Sequence, residues 1–356
     1  MIDKIYSWID KRYKIEQLLY FSKEKSVPVH HGTMWYYFGG ITLFLFIVQV
    51  MTGLFLLFYY RPGADSSFES VKFIITQVKF GWLLRGIHSW SANLMVLAAM
   101  IHMFSVFFHR SYRGPREMTW VTGVGMLFLL MAFGFSGYLL PWNELAFFAT
   151  KVGTDSARQV PLIGDFLLKL MRGGSDVTGA TLSRFFGLHV SVLPPIFSFM
   201  LGLHLFFVQI QGMSEPMGSE LSHGKKRTMP FLPDFFLRDL LIWLVVLDIL
   251  ILLSVFFPWE LGVKADPFSP APAGIKPEWY FLFVFQSLKL LPPHIGPFEG
   301  EMLGVMAMGF GAAVLVLLPF LERASSKGRR TKLVDVIGVF GLAYFAVFTI
   351  LGYVID

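Results

Sequence analysis

Charge is absent from long stretches of this chain. Ile41–Tyr60, Ile87–Phe108 and Thr119–Trp142 contain no Asp, Glu, Lys or Arg. Each holds the ~20 residues that a helix needs to cross ~30 Å of hydrocarbon. The same pattern predicts seven spans, at roughly 35–60, 84–108, 118–141, 185–210, 236–257, 302–321 and 335–354. Pro277–Leu291 is also apolar, but it is short and sits between prolines. It predicts a helix lying at the interface or folded back into the protein, not a crossing. At the amino end, Ile2, Ile5, Ile9 and Tyr13 are spaced among charges, which predicts a short interfacial helix. A signal peptide would place an uninterrupted apolar stretch after a basic start. The expected class is an all-α polytopic membrane protein. Its expected parts are an interfacial segment (1–33), a four-helix bundle (34–211), a cytoplasmic linker (212–235) and a three-helix part (236–356).

Composition narrows the function. The 356 residues are 55% hydrophobic and 15% charged, against about 25% charged in soluble domains. A soluble enzyme, a disordered chain and a nucleic-acid binder are excluded. The net charge of +6 is a topology signal. Basic residues cluster on one side: Lys4, Lys11, Arg12, Lys14, Lys23 and Lys25 in the amino segment, Arg110, Arg113 and Arg116 after the second span, Lys225, Lys226 and Arg227 after the fourth, and Arg323, Lys327, Arg329, Arg330 and Lys332 after the sixth. By the positive-inside rule this side is cytoplasmic, with the N-terminus inside and the C-terminus outside a bacterial-type inner membrane. With no cysteine, the chain has no disulfide, thiolate metal site or thioether-linked haem.

Four of the nine histidines lie within spans: His88 and His102 on the second, His189 and His204 on the fourth. Ionisable groups inside a membrane mark function. The intervals are 14 and 15 residues, or ~21 and ~22 Å along a helix. Because the two spans run in the same direction, His88 pairs with His189 at an outer level and His102 with His204 at an inner level. Two neutral imidazoles on opposite sides suit six-coordinate haem iron. Zinc would want three or four ligands at each site. The extra residue on the fourth span turns His204 by ~100°, and Pro194-Pro195 between the two histidines is expected to bend or unwind the helix and restore the register. Gly39 and Gly53 on the first span, and Gly123 and Gly137 on the third, repeat the 14-residue interval. They predict the close approach of a flat ring edge at each level, with helix packing as the other reading. Arg85 and Arg184 near the outer interface are candidates for haem propionates, or they snorkel. A transporter with a histidine relay would scatter its histidines in depth, whereas these are confined to two levels.

These residues, together with Gly39–Arg61, Gly137-Tyr138-Leu139-Leu140-Pro141-Trp142 and Pro277-Glu278-Trp279-Tyr280, resemble the cytochrome b family over nearly the whole chain. The chloroplast-type branch fits best, with its two subunits joined here. The resemblance implies two noncovalent b-type haems and a subunit of a quinol–cytochrome c type oxidoreductase. Quinol would be oxidised at the outer face. One electron would go to a Rieske iron–sulfur protein, and the other through both haems to an inner quinone site. It further implies a c-type cytochrome partner and a dimeric complex. Glu278 is expected to accept a proton from quinol, with Tyr280 as a hydrogen-bonding neighbour; the bland reading of Glu278 is a helix cap. Arg238-Asp239 resembles the Lys-Asp pair of the family's inner quinone site, so Asp239 is a candidate proton donor there. Two departures stand out. Tyr37 occupies the position of the cysteine that binds an extra haem covalently, so no covalent haem is expected. Glu144 replaces a usual glutamine. A dihaem anchor serving a non-Rieske partner is the alternative function.

Overall fold

The computed structural model describes the chain except residues 1, 15, 17–24, 30–33, 215–227, 327–331 and 356. Lys23, Lys225, Lys226, Arg227, Lys327, Arg329 and Arg330 of the basic clusters, and most of the expected linker, therefore lie outside the described residues. Among those described, seven helices are long and apolar enough to cross a bilayer. The spanning helices are α2 (Phe38–Leu57, entered through a 3-10 turn at Trp35–Tyr37), α4 (Gly81–Phe108), α5 (Glu117–Tyr138), α8 running into α9 (Gly179–Gly187 and Leu193–Gln211), α10 (Phe236–Phe256), α12 (Gly300–Ser326) and α13 (Lys332–Val354). Shorter helices lie between them: α1 (Ile2–Tyr13), α3 (Ser67–Thr76), α6 (Glu144–Arg158), α7 (Gly164–Arg172) and α11 (Trp279–Lys289). The short apolar segment between prolines is thus α11, a helix of 11 residues that packs on α12 and α13.

The fourth span is not one regular helix. A π turn, Leu188–Val192, joins α8 to α9 immediately before Pro194-Pro195. Proline has no N–H to donate into the preceding turn, and its ring crowds the carbonyl four residues back. A wider turn relieves both and takes in one residue more than an α turn. The odd fifteenth residue between His189 and His204 is absorbed here.

In the first four spans, α4 packs along α2 and α9 packs along α5, but α4 and α9 share no packed seam. The apolar core between the two halves includes Leu45, Val48, Met95, Val96, Leu127, Leu130 and Phe197. Two short strands, Ser26–Pro28 and Thr228–Pro230, pair antiparallel and tie the amino segment to the entry of α10.

A buried ion cluster fastens the last two spans to the first four. Glu322 near the end of α12 is 3% exposed. Its Oε1 lies 3.3 Å from Arg110 Nε and 2.6 Å from Arg113 Nη2. Buried Tyr112 donates its hydroxyl to Oε2, and Arg110 also reaches Asp335 at the start of α13, 2.8 Å away. Removing one partner of a buried ion pair strands the other, at a cost of about 3–5 kcal/mol. Glu322→Ala is therefore expected to lower the Tm of the purified complex markedly. Lys264→Ala, at an exposed 3.4 Å pair with Glu69, should move it little.

Candidate functional site

The four span histidines face one another in the space between the α2–α4 and α5–α9 pairs. His88 lies within electrostatic reach of His189, and His102 of His204. Three of the rings are oriented by hydroxyls on the neighbouring helix. His88 Nδ1 is 2.9 Å from Thr52 Oγ1, His204 Nδ1 is 3.1 Å from Thr122 Oγ1, and His189 Nδ1 is 3.1 Å from Ser136 Oγ. Each hydroxyl already donates its proton to a carbonyl one turn back: Thr52 to Val48 (2.6 Å), Thr122 to Met118 (2.9 Å) and Ser136 to Ala132 (2.7 Å). The hydroxyl oxygens must then accept, so the imidazoles donate from Nδ1–H. The Phe133 carbonyl, 3.1 Å from His189 Nδ1, requires the same tautomer. In all three rings the lone pair is left on Nε2, as a metal ligand needs.

The glycines stand directly behind these rings. A Cβ on Gly137 would lie 2.6 Å from His189 Cε1; the corresponding distances are 3.1 Å for Gly39 and His102, 3.3 Å for Gly123 and His204, and 3.4 Å for Gly53 and His88. The nearest neighbour of each glycine within the chain is thus an imidazole. The orienting hydroxyls were missed in the sequence, yet a signal was present. Thr52, Thr122 and Ser136 each immediately precede a glycine of the 14-residue pattern. Gly39 follows Phe38 instead.

Two imidazoles per level fit a metal held equatorially by a porphyrin, which asks the protein only for axial ligands. They do not fit a bare ion, and among the described residues no three His, Cys, Asp or Glu side chains converge. Between the levels, Phe197 packs on Phe46 and Phe133, with ring centroids 4.5 and 6.0 Å apart.

At the His88–His189 end, a cavity of about 440 Å³ opens between α5, α6, α11 and α12. Its wall is apolar except at a few positions, among them Tyr138, Ser156 and Glu278. Glu278 occupies the N-cap position of α11, but its carboxylate makes no capping bond. The cap reading fails, and Glu278 lines the cavity. Burial holds its pKa above the ordinary carboxylate range. Tyr280 is 4% exposed and its hydroxyl presses against Gly134. The helix α6 that forms one side of the cavity is held by buried Arg172, which bonds to Lys151 O, Thr154 Oγ1 and Asp155. Glu144, on the first turn of α6, does not line the cavity.

Comparison with known proteins accords with this arrangement. The family model for cytochrome b/b6/petB matches residues 23–212, and that for cytochrome b (C-terminal)/b6/petD matches residues 264–355. The chain belongs to the cytochrome b family. A "cytochrome bc complex cytochrome b subunit" of Chlorobaculum thiosulfatiphilum is 47% identical over 98% of this chain and 80% of its own length. Cytochrome b6 of Synechococcus sp. (strain JA-3-3Ab) is 43% identical over 61% of this chain and all of its own. A solved chain described as "Hyperthermophilic respiratory Complex III" superposes with a TM-score of 0.86 at 31% identity, covering 98% of this chain and 91% of that one. Membership makes the chain a membrane-embedded, electron-transporting subunit of an oxidoreductase complex, and implies b-type haem.

At the opposite end of this cytochrome b, Asp239 on α10 lies against Gly40, where a Cβ would fall 2.7 Å from either carboxylate oxygen. Gly40 adjoins Gly39, which backs His102, so Asp239 and His102 flank the same turn of α2. Asp239 Oδ1 and Trp243 Nε1, one turn apart on α10, are buried with no hydrogen-bond partner among the described residues. Trp243 stacks on Phe44, with centroids 5.2 Å apart. Tyr37 stacks on Phe235 at 5.7 Å. The two arginines proposed for propionates are engaged elsewhere. Arg85 donates to the carbonyls of Trp259 and Glu260, and Arg184 to that of Leu170, 2.6 Å away. Each ties neighbouring segments together through these bonds.

Glycine substitutions separate the two sides of the His88–His189 level. Gly137→Ala drives a methyl into His189 and is expected to reduce haem content at that level by more than half. Gly53→Ala, at ordinary contact distance from His88, should retain it. The haem-to-protein ratio and the reduced-minus-oxidised spectrum of the purified complex measure both.

Proposed function

We propose that this chain is the dihaem core of a quinol–cytochrome c type oxidoreductase, in which His88 with His189, and His102 with His204, would hold two noncovalent b-type haems. The observation that carries this reading is the set of opposed imidazoles at two levels, three of the four oriented through Nδ1 so that Nε2 is left to bind. When bound, the haems supply one-electron transfer between the two membrane faces.

The cavity beside Glu278 is then the quinol-oxidising site. Its apolar wall accepts a flat, hydrophobic headgroup and excludes water. Glu278 accepts the proton that a quinol hydroxyl loses on oxidation. Its raised pKa brings the carboxylate nearer to working pH, where a general base is most effective. Buried Tyr280 packs on Gly134 and holds the start of α11 against α5. Asp239 and Trp243 belong to the second quinone site, where Asp239 supplies a proton. The basic loops face the cytoplasm, so Glu278 is on the outer side and Asp239 on the inner. A Rieske protein and a c-type cytochrome receive electrons at the outer face, and the complex is a dimer. Residues 1–33 lie along the inner interface, 34–211 form the haem bundle, 212–235 join the halves, and 236–356 complete both quinone sites.

A redox titration of the purified complex, with haem stoichiometry, tests the core reading. Two b-type haems with separate potentials are expected from this chain. His88→Leu should remove one and leave the other, and a single haem in the parent would overturn the assignment. For Glu278, quinol oxidation should rise with pH through the raised carboxyl pKa, because below it the group is protonated and cannot accept. Glu278→Gln should slow the reaction at least tenfold and abolish that limb of the profile while both haems remain. Unchanged turnover in the variant would remove Glu278 from the mechanism.

A further inference from the structure

One ionisable side chain deep within a span, away from both of its ends, belongs neither to the histidine levels nor to the two candidate quinone sites. Asp248 lies 12 residues after the start of α10 and 8 before its end, about 18 Å and 12 Å along the helix. That is near mid-membrane. The side chain is exposed and forms no hydrogen bond or ion pair with a described residue of this chain. The opposite face of α10 is turned inward: Leu250 and Ser254 are buried, and Ser254 packs on Gly86 of α4.

An aspartate facing hydrocarbon is among the most unfavourable placements a membrane helix can adopt. Its side chain is too short to reach the interface from that depth. Its neighbours on the same face are Leu241, Leu244, Val245, Leu252 and Val255, all exposed. Their spacing of three and four residues forms a single seam with Asp248 at its centre. A seam of this kind, interrupted by one polar residue, is how one helix specifies the register of another.

The occupant can be narrowed further. A carboxylate there calls for a cation or a strong hydrogen-bond donor at the same depth. A second copy of this chain cannot supply the cation. Its span arginines and lysine sit near helix ends, Arg85, Arg184, Arg238 and Lys332 within the first two turns and Arg323 in the last turn of α12, and its four span histidines face inward across the bundle. A symmetric contact on this face would set one Asp248 against another. We propose that the α10 face centred on Asp248 docks a transmembrane helix from a different subunit of the complex, and that this helix carries a Lys, Arg or His at mid-depth.

The test is made in native membranes of the whole complex. A photo-crosslinking amino acid placed at Leu244 should join this chain to a transmembrane peptide of another subunit, with a basic residue at the matching depth. Asp248→Lys should reduce the amount of that subunit retained on purification by about tenfold or more, and reversing the partner's basic residue to Asp should restore it. Asp248→Leu should lower retention as well, although leucine favours membrane insertion of α10, so a loss there does not arise from failed insertion. The b-haem spectrum of each variant reports that the chain itself is folded. Crosslinks only to lipid or to a second copy of this chain, or full retention of every subunit in Asp248→Lys, would overturn the proposal.

Discussion

Holding an imidazole ready to bind a metal is a constraint of orientation: a hydrogen bond that commits one nitrogen leaves the lone pair on the other. In this protein that constraint is met by hydroxyl–glycine pairs on the helices behind the rings. Thr52, Thr122 and Ser136 take the Nδ1 protons, and the glycine that follows each leaves room for the imidazole itself. The hydroxyls can accept only because each has already given its own proton to a carbonyl one turn back. Helix geometry, hydrogen-bond polarity and ring orientation are therefore one device, used three times. The His102 ring has the glycine without the hydroxyl, so its orientation depends on packing.

That device works only if α4 and α9 stay apart while each remains packed on its own neighbour. The two-by-two arrangement of α2–α4 and α5–α9 achieves this, and the π turn before Pro194-Pro195 keeps the lower histidine of α9 in line. A regular α-helix with fifteen residues between its histidines would turn one of them away from its partner. The prolines thus have a geometric role, correcting a spacing mismatch within one span.

Polar groups at the two ends are treated differently from those at the centre. The Glu322 cluster is ion-paired and joins the last two spans to the bundle. Glu278 and Asp239 are partly buried and left without strong partners, which suits groups proposed to exchange protons with a bound headgroup. Asp248 has no role in either end. It is costly where it stands unless the complex covers it, and this makes it informative about assembly.

The spans, the histidine levels, the close-approach glycines and the Pro-Glu-Trp-Tyr segment were legible in the chain alone, because each is a spacing along one helix or a contiguous string. Membrane solvent also forces hydrophobic blocks to be helices, so the element type followed directly. What depends on two segments meeting was not legible. The tautomers of the histidines required Thr52, Thr122 and Ser136 to be placed across a helix seam. The bonds of Arg85 to the Trp259 and Glu260 carbonyls, and of Arg184 to that of Leu170 on α7, join segments that no spacing along one helix brings together. The cap reading of Glu278 was excluded only by seeing that its carboxylate makes no cap. The exposure of Asp248 is a property of which face of α10 the rest of the chain covers. Periodicity determines what a helix offers on each side, whereas the packing of its neighbours decides which side is left open, because that choice rests on contacts between residues far apart in the chain.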